Sequence, residues 1–229
     1  MDVVDNYHVI QEQVSQEALR YGRDPQTITI VVVTKSQSVE KLLSLYDAGV
    51  RDFGESRVQE ALQKMKQAPQ DIRWHLIGTL QKNKVKHVAG RFVLIHSVDS
   101  LPLAEAISKV SLSQQCVTNI LLQVNTSHEL TKHGYTCEEW KRFFPQVLEL
   151  SGIEVQGLMT IAPFTEDETA IKNCFADLQH LRDELMERYG DSVTLKHLSM
   201  GMTNDYHIAI VEGATLVRIG TAILGKPEN

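Results

Sequence analysis

Cysteine is scarce and poorly placed for pairing. The three in the chain, Cys116, Cys137 and Cys174, are odd in number and far apart, which excludes a disulfide framework and any C-x-x-C redox or zinc motif and fits a reducing cytoplasm. Basic residues are in the minority, 23 Lys and Arg against 29 Asp and Glu for a formal net charge of -6. That balance argues against a general nucleic-acid binder, which must neutralise backbone phosphates. The local basic run of Lys82, Lys84, Lys86 and His87 reads as a solvated helix face. No apolar stretch is long enough to span a bilayer, and the N-terminal stretch lacks the basic start and apolar core of a signal peptide, so neither membrane insertion nor export is expected. Nine histidines supply no H-E-x-x-H, and His128 and His133 stand in a polar stretch that reads as loop rather than as a metal site.

What is present is a repeated alternation. The 229 residues, 42% of them hydrophobic, suffice for one sizeable core. No shift in composition marks a linker, so residues 1–229 are expected to form one domain. Val3 to Tyr21 carries apolar residues at helical spacing and is closed by Gly22. Thr27 to Val33 is β-branched and ends apolar on both faces, as a strand covered on both sides should. Helical spacing returns at Val39, Leu42, Leu43 and Tyr46.

The exchange then repeats. VRDFG precedes SRVQEALQKMKQA, whose Val58, Leu62 and Met65 share a face; RWHLIG precedes a basic helix from Asn83; RFVLIHS precedes SLPLAEAISKV. NILLQVN leads to a helix from Cys137 to Leu150, EVQGLMTI to a long helix from about Glu166 to Tyr189, TLKHLS to a helix from Asn204 to Glu212, and TLVRIG closes the series. Eight strands alternating with helices predict an α/β fold of the (βα)8 TIM-barrel kind. A doubly wound open sheet is the alternative, disfavoured because no strand reads as a polar edge. Few residues follow Ile219, so the N-terminal helix is expected to cover the last strand.

In such barrels functional groups gather at the C-terminal ends of the strands, and phosphates commonly bind after strands seven and eight. SMGMTND, Ser199 to Asp205, and IGT, Ile219 to Thr221, occupy those places. Their small residues let backbone N–H groups approach an anion, and Ser199 and Thr221 add hydroxyls; the plainer alternative is a pair of tight turns. Lys35 follows the apolar first strand. Desolvated there, its amine would be a neutral nucleophile able to condense with an aldehyde, the alternative being a solvated loop lysine. An aldehyde bearing a phosphate, held at both ends, describes pyridoxal 5'-phosphate (PLP). Arg218 is then the candidate partner of the pyridine nitrogen. It can only donate, which leaves that nitrogen unprotonated and the cofactor a weaker electron sink. Otherwise it pairs with a carboxylate inside the barrel.

VVVTKSQS, DFGESRVQEALQK, WHLIGTLQKNK, HSVDS, LLQVNTS with KHG, GLMTIAP, LSMGMTNDYHIAI and VRIGTAILG, in that order from about Ile30 to Gly225, resemble the pyridoxal phosphate homeostasis protein family, also called the proline synthetase co-transcribed family. The resemblance implies a fold-type-III PLP barrel similar to the barrel half of alanine racemase. It implies a Schiff base on Lys35, phosphate binding at Ser199, Gly201, Gly220 and Thr221, and Arg218 at the ring nitrogen. Two positions depart from the family's usual pattern. Ser56 stands where asparagine is usual, which puts a polar contact at the mouth in doubt, since the shorter side chain would reach through water. Thr34 stands where serine is common and keeps the hydroxyl.

Three functions suit these residues: a cytoplasmic PLP carrier or buffer that affects amino-acid and keto-acid balance, an amino-acid racemase, and a Schiff-base aldolase. Racemisation needs acid-base groups on both faces of the α-carbon, and alanine-racemase-like enzymes draw one from a second, β-rich domain that this chain has no residues left to build. An aldolase would favour a lysine late in the barrel, whereas Lys35 is on the first strand. The carrier is therefore expected, as a monomer that passes PLP to apo PLP-dependent enzymes and does little chemistry itself.

Overall fold

Parallel pairing closes on itself in the computed structural model, which describes residues 2–127, 129 and 132–226. The strands are β1 Thr29–Val33, β2 Asp52–Glu55, β3 Arg73–Leu76, β4 Leu94–Val98, β5 Thr118–Gln123, β6 Ile153–Met159, β7 His197–Ser199 and β8 Leu216–Ile219. They form a closed barrel in sequence order, and β8 returns to β1 along a register from Thr29↔Leu216 to Val32↔Ile219. Closure leaves no unpaired edge, which is why no strand carries a polar-edge signature. His128 lies outside the described residues.

The connecting helices are α1 Val3–Arg20, α2 Val39–Asp47, α3 Val58–Met65, α4 Leu101–Ser113, α5 Cys137–Leu148, α6 Glu168–Tyr189, α7 Tyr206–Val211 and α8 Thr221–Leu224. α1 buries Ile10, Val14 and Ala18. Polar ties join this N-terminal region to the end of the chain: Asn6 donates to the Ile223 carbonyl, and Arg23 donates to the carbonyls of Ile210 and Ala214. The N-terminal helix thus packs over the last βα units, as its apolar stripe requires. Among the described residues no helix is long and apolar enough to cross a membrane.

Two elements differ from expectation. The basic helix from Asn83 is a 3-10 segment, Lys82–His87; only Val85 within it is buried, so it has no apolar stripe with which to dock a longer helix. The helix expected from Asn204 starts at Tyr206, because the preceding residues form a turn in which the Asp205 carboxylate accepts from the Met202 N–H at 2.5 Å. α3 packs Val58, Leu62 and Met65 against the core as its spacing requires, and it buries Ala61 and the ion-paired Lys64 as well.

Side chains alternate along each strand. Val31, Leu94, Leu121, Met159 and Leu216 form a cluster inside the barrel, while Val32, Phe53, Ile95, Leu158 and Val217 face the helices as part of the larger core. Asp52, His75, His96, Ser199 and Arg218 are buried as well, and strand parity places them on the inner face.

Candidate functional site

Lys35 sits one residue beyond the buried Thr34, and its side chain is exposed. The desolvation expected from the apolar strand is therefore absent. β1 ends at Val33 and the chain turns, with the Gln37 N–H donating to the Thr34 carbonyl and Ser36 in the left-handed region at φ 55°. Such a conformation is uncommon outside glycine and needs outside support.

That support is an ion network beneath the turn. Lys64 Nζ donates to the Thr34 carbonyl at 2.6 Å, to Glu55 Oε1 at 2.7 Å and to Glu60 Oε1 at 2.8 Å. The Thr34 hydroxyl donates to Glu55 Oε1 at 2.6 Å, and the Ser36 N–H donates to Glu60 Oε1 at 2.6 Å. Both neighbours of Lys35 are thus fixed, while among the described residues the Lys35 amine itself has no hydrogen bond or ion pair. Burial pushes the Glu55 carboxyl up despite Lys64 and Thr34, and its Oε2 is buried without a partner. For Glu60, burial is outweighed by the bonds from Lys64 and the Ser36 N–H, so its carboxyl lies below the usual range.

The loops after β7 and β8 meet at the same rim. The Arg218 N–H donates to the Gly201 carbonyl at 2.9 Å, and Thr221 Oγ1 donates to Thr203 Oγ1 at 3.2 Å. Gly201 has φ +89°, and a Cβ there would lie 2.6 Å from the Ala209 Cβ and 2.9 Å from the Tyr206 Cα; only glycine lets this loop lie against α7. Gly220 has ordinary backbone, but a Cβ would come to 3.3 Å from the Val33 Cβ and carbonyl, so β8 passes close to the end of β1. Gly201, Gly220 and Thr221 are brought together as expected.

Ser199 faces the barrel interior. It is fully buried, and its hydroxyl accepts from Arg218 Nη1 at 2.6 Å and pairs with His96 Nδ1 at 2.8 Å. Arg218 completes its inner contacts by donating from Nη2 to the Thr160 carbonyl at 2.8 Å. Among the described residues it forms no salt bridge, which removes the alternative of a carboxylate partner. Burial brings its guanidinium down to about 10, against the pull of Asp205, and it stays cationic at neutral pH.

Behind Ser199 the polar contacts continue across the barrel. His96 Nε2 lies 2.9 Å from His75 Nδ1, His75 Nε2 lies 3.1 Å from Asp52 Oδ1, and Asp52 accepts two bonds from Arg73. Sequence reasoning missed Lys64, Thr203, His75, His96 and Asp52. Thr203 stood within the SMGMTND loop already singled out; the two histidines were hidden in apolar strand runs.

Residues 11–227 match the family described as alanine racemase, N-terminal domain. A pyridoxal phosphate homeostasis protein of Aquifex aeolicus is 40% identical over 227 residues, 99% of this chain and 99% of its own. PipY of Synechococcus elongatus, solved with PLP bound, is 33% identical with a TM-score of 0.81 over 93% of this chain and 100% of that one. An alanine racemase of Clostridium difficile, 15% identical, shares the fold with a TM-score of 0.74 over 93% of this chain and 58% of the racemase.

Proposed function

Starting from the fact that the chain belongs to the pyridoxal phosphate homeostasis protein family, we propose that its barrel mouth binds PLP through Lys35 and serves PLP homeostasis as a carrier or buffer. The observation that carries this reading is a pair of basic side chains on adjacent strands: the exposed Lys35 amine after β1 and the buried Arg218 of β8, the first without a bonded partner and the second without a carboxylate among the described residues. The donor set fits the cofactor. Lys35 suits the aldehyde, the Gly201 and Gly220 loops with Thr221 suit the phosphate, and Arg218 suits the ring nitrogen. Ser199 holds Arg218.

Bound PLP supplies an aldehyde carbon that bonds reversibly to amines and a ring that draws electrons from the carbon attached there. Arg218, a donor only, holds the ring nitrogen unprotonated and weakens that pull. The Lys64 network presents the amine at a fixed place while its side chain stays open to water and incoming amines. These residues support retention and exchange of the cofactor more than turnover. A monomeric single-domain protein of the cytoplasm, passing PLP to apo PLP-dependent enzymes, completes the proposal.

The test mixes PLP-loaded protein with an apo PLP-dependent enzyme. Recovery of that enzyme's activity, with no turnover of D- or L-amino acids by the protein alone, is the expected result. Robust racemase or aminotransferase turnover that disappears in Lys35→Ala would overturn the carrier reading in favour of a catalyst.

A further inference from the structure

The contacts from Arg218 to Asp52 run through the barrel from its C-terminal mouth toward its N-terminal end, and the chemistry of the two ends gives them a direction. Arg218 can only donate, so Ser199 Oγ accepts from it. Asp52 can only accept while it is ionised, and although burial opposes ionisation, the bonds from Arg73 and His75 hold its carboxyl down at about 2. His75 Nε2, at 3.1 Å from Asp52 Oδ1, therefore carries a proton. Since Arg218 cannot accept the Ser199 hydroxyl proton, His96 Nδ1 takes it, and His96 donates from Nε2–H to His75 Nδ1. Burial, followed by His75, Arg218 and His197, keeps the His96 ring from charging. Among the described residues, this arrangement gives the Ser199 proton and both ring protons an acceptor.

The geometry points to His96, with His75 behind it, as a positioning residue for Arg218: two Nε2–H imidazoles aim the Ser199 lone pairs at Arg218 and so hold its guanidinium where the cofactor ring nitrogen binds. This rests on the reading of Arg218 as the ring-nitrogen donor. A buried serine without an acceptor for its proton is free to rotate that proton toward the guanidinium, where it opposes the Arg218 bond. His96 prevents this. The side chains that face the pair are Asp52 from β2, Arg73 from β3, His197 and Ser199 from β7 and Arg218 from β8. The anchoring Asp52–Arg73 pair borders a cleft of about 350 Å³ at the N-terminal face of the barrel, which Tyr7 of α1 also lines.

Two measurements test the inference separately from cofactor binding. Nitrogen NMR of histidine-labelled protein without PLP should show the ring proton of His96 and of His75 on Nε2, with Nδ1 of each unprotonated; a proton on Nδ1 of either overturns the assignment. In His96→Asn the amide oxygen takes the place of Nδ1 and still accepts from Ser199, whereas His96→Leu offers nothing. His96→Leu should weaken PLP binding about tenfold or more and shift the ring-nitrogen resonance of bound [15N]PLP, and His96→Asn should restore both. Equal affinity and an unmoved resonance in both variants overturn the positioning role. Should His96→Leu fail to fold, a His96→Asn protein whose ring-nitrogen resonance departs from the wild type contradicts it equally. If wild-type protein takes up no PLP, the cofactor reading falls, and the tautomers still decide whether the chain of bonds runs as described.

Discussion

Lys64 Nζ lies 2.6 Å from the carbonyl oxygen of Thr34, the residue immediately before Lys35, so a buried ammonium on α3 holds the backbone that presents the candidate nucleophile. Removing it in Lys64→Met leaves the Glu55 carboxylate buried and uncompensated, at a cost of about 3–5 kcal/mol. Urea denaturation should register that loss, and PLP affinity should fall with it. Adding Glu55→Gln removes the stranded charge and should recover part of the stability; a single variant as stable as the wild type contradicts the network's role.

Asp52 predicts the acid limb of the stability profile. Its folded value of about 2 lies below the ordinary 3.8, so the unfolded chain binds the proton more tightly. The resulting stabilisation is fully present above pH 3.8 and is lost as pH falls through 2. After discounting for solvent around the half-exposed Arg73, it amounts to about 1–2 kcal/mol. In Asp52→Asn the difference in stability between pH 5 and pH 2, within the range where this carboxyl titrates, should shrink by about that amount; an unchanged slope argues against the Asp52 contribution.

The two mouth glycines should differ in tolerance. Gly201→Ala meets both a left-handed backbone and a Cβ contact of 2.6 Å, and should cost about 2–3 kcal/mol while weakening PLP binding. Gly220→Ala meets only 3.3 Å contacts on ordinary backbone, and should cost about 1 kcal/mol or less. Thermal denaturation of the pair orders them, and a reversed order counts against the geometry of the β7 loop.

Thr221 and Thr203 link the two loops through their hydroxyls. Thr221→Ala removes a donor proposed for an anionic phosphate, a bond worth about 1.5–3 kcal/mol. PLP should bind correspondingly more weakly, while pyridoxal without the phosphate should bind nearly as before. Equal losses for both ligands place the phosphate elsewhere.

The barrel was legible because parallel strands buried on both faces leave short β-branched runs, and helices leave apolar spacing between them. What escaped were side chains whose roles depend on partners remote in sequence. His96 meets Ser199 across 103 residues, and inside LIHS it resembles any residue of a buried strand. Lys64 sits in a polar QKMK stretch, where hydrophobic spacing favours Leu62 and Met65. Lys35 was rightly placed at the end of β1, but an apolar strand does not reveal that the next turn lifts its side chain into solvent. Ser199 was singled out from its loop position, which does not reveal that strand parity turns it inward to Arg218.

The most direct test of the account is borohydride reduction of the PLP-loaded protein followed by peptide mapping. Lys35 has no bonded partner among the described residues, whereas Lys132 is engaged with the Ala162 carbonyl and Lys64 with two carboxylates. The pyridoxyl label should appear on Lys35 and disappear in Lys35→Ala. A label on Lys132, Lys84 or Lys64 in the wild type, or undiminished labelling in Lys35→Ala, contradicts the central claim that this lysine holds the cofactor.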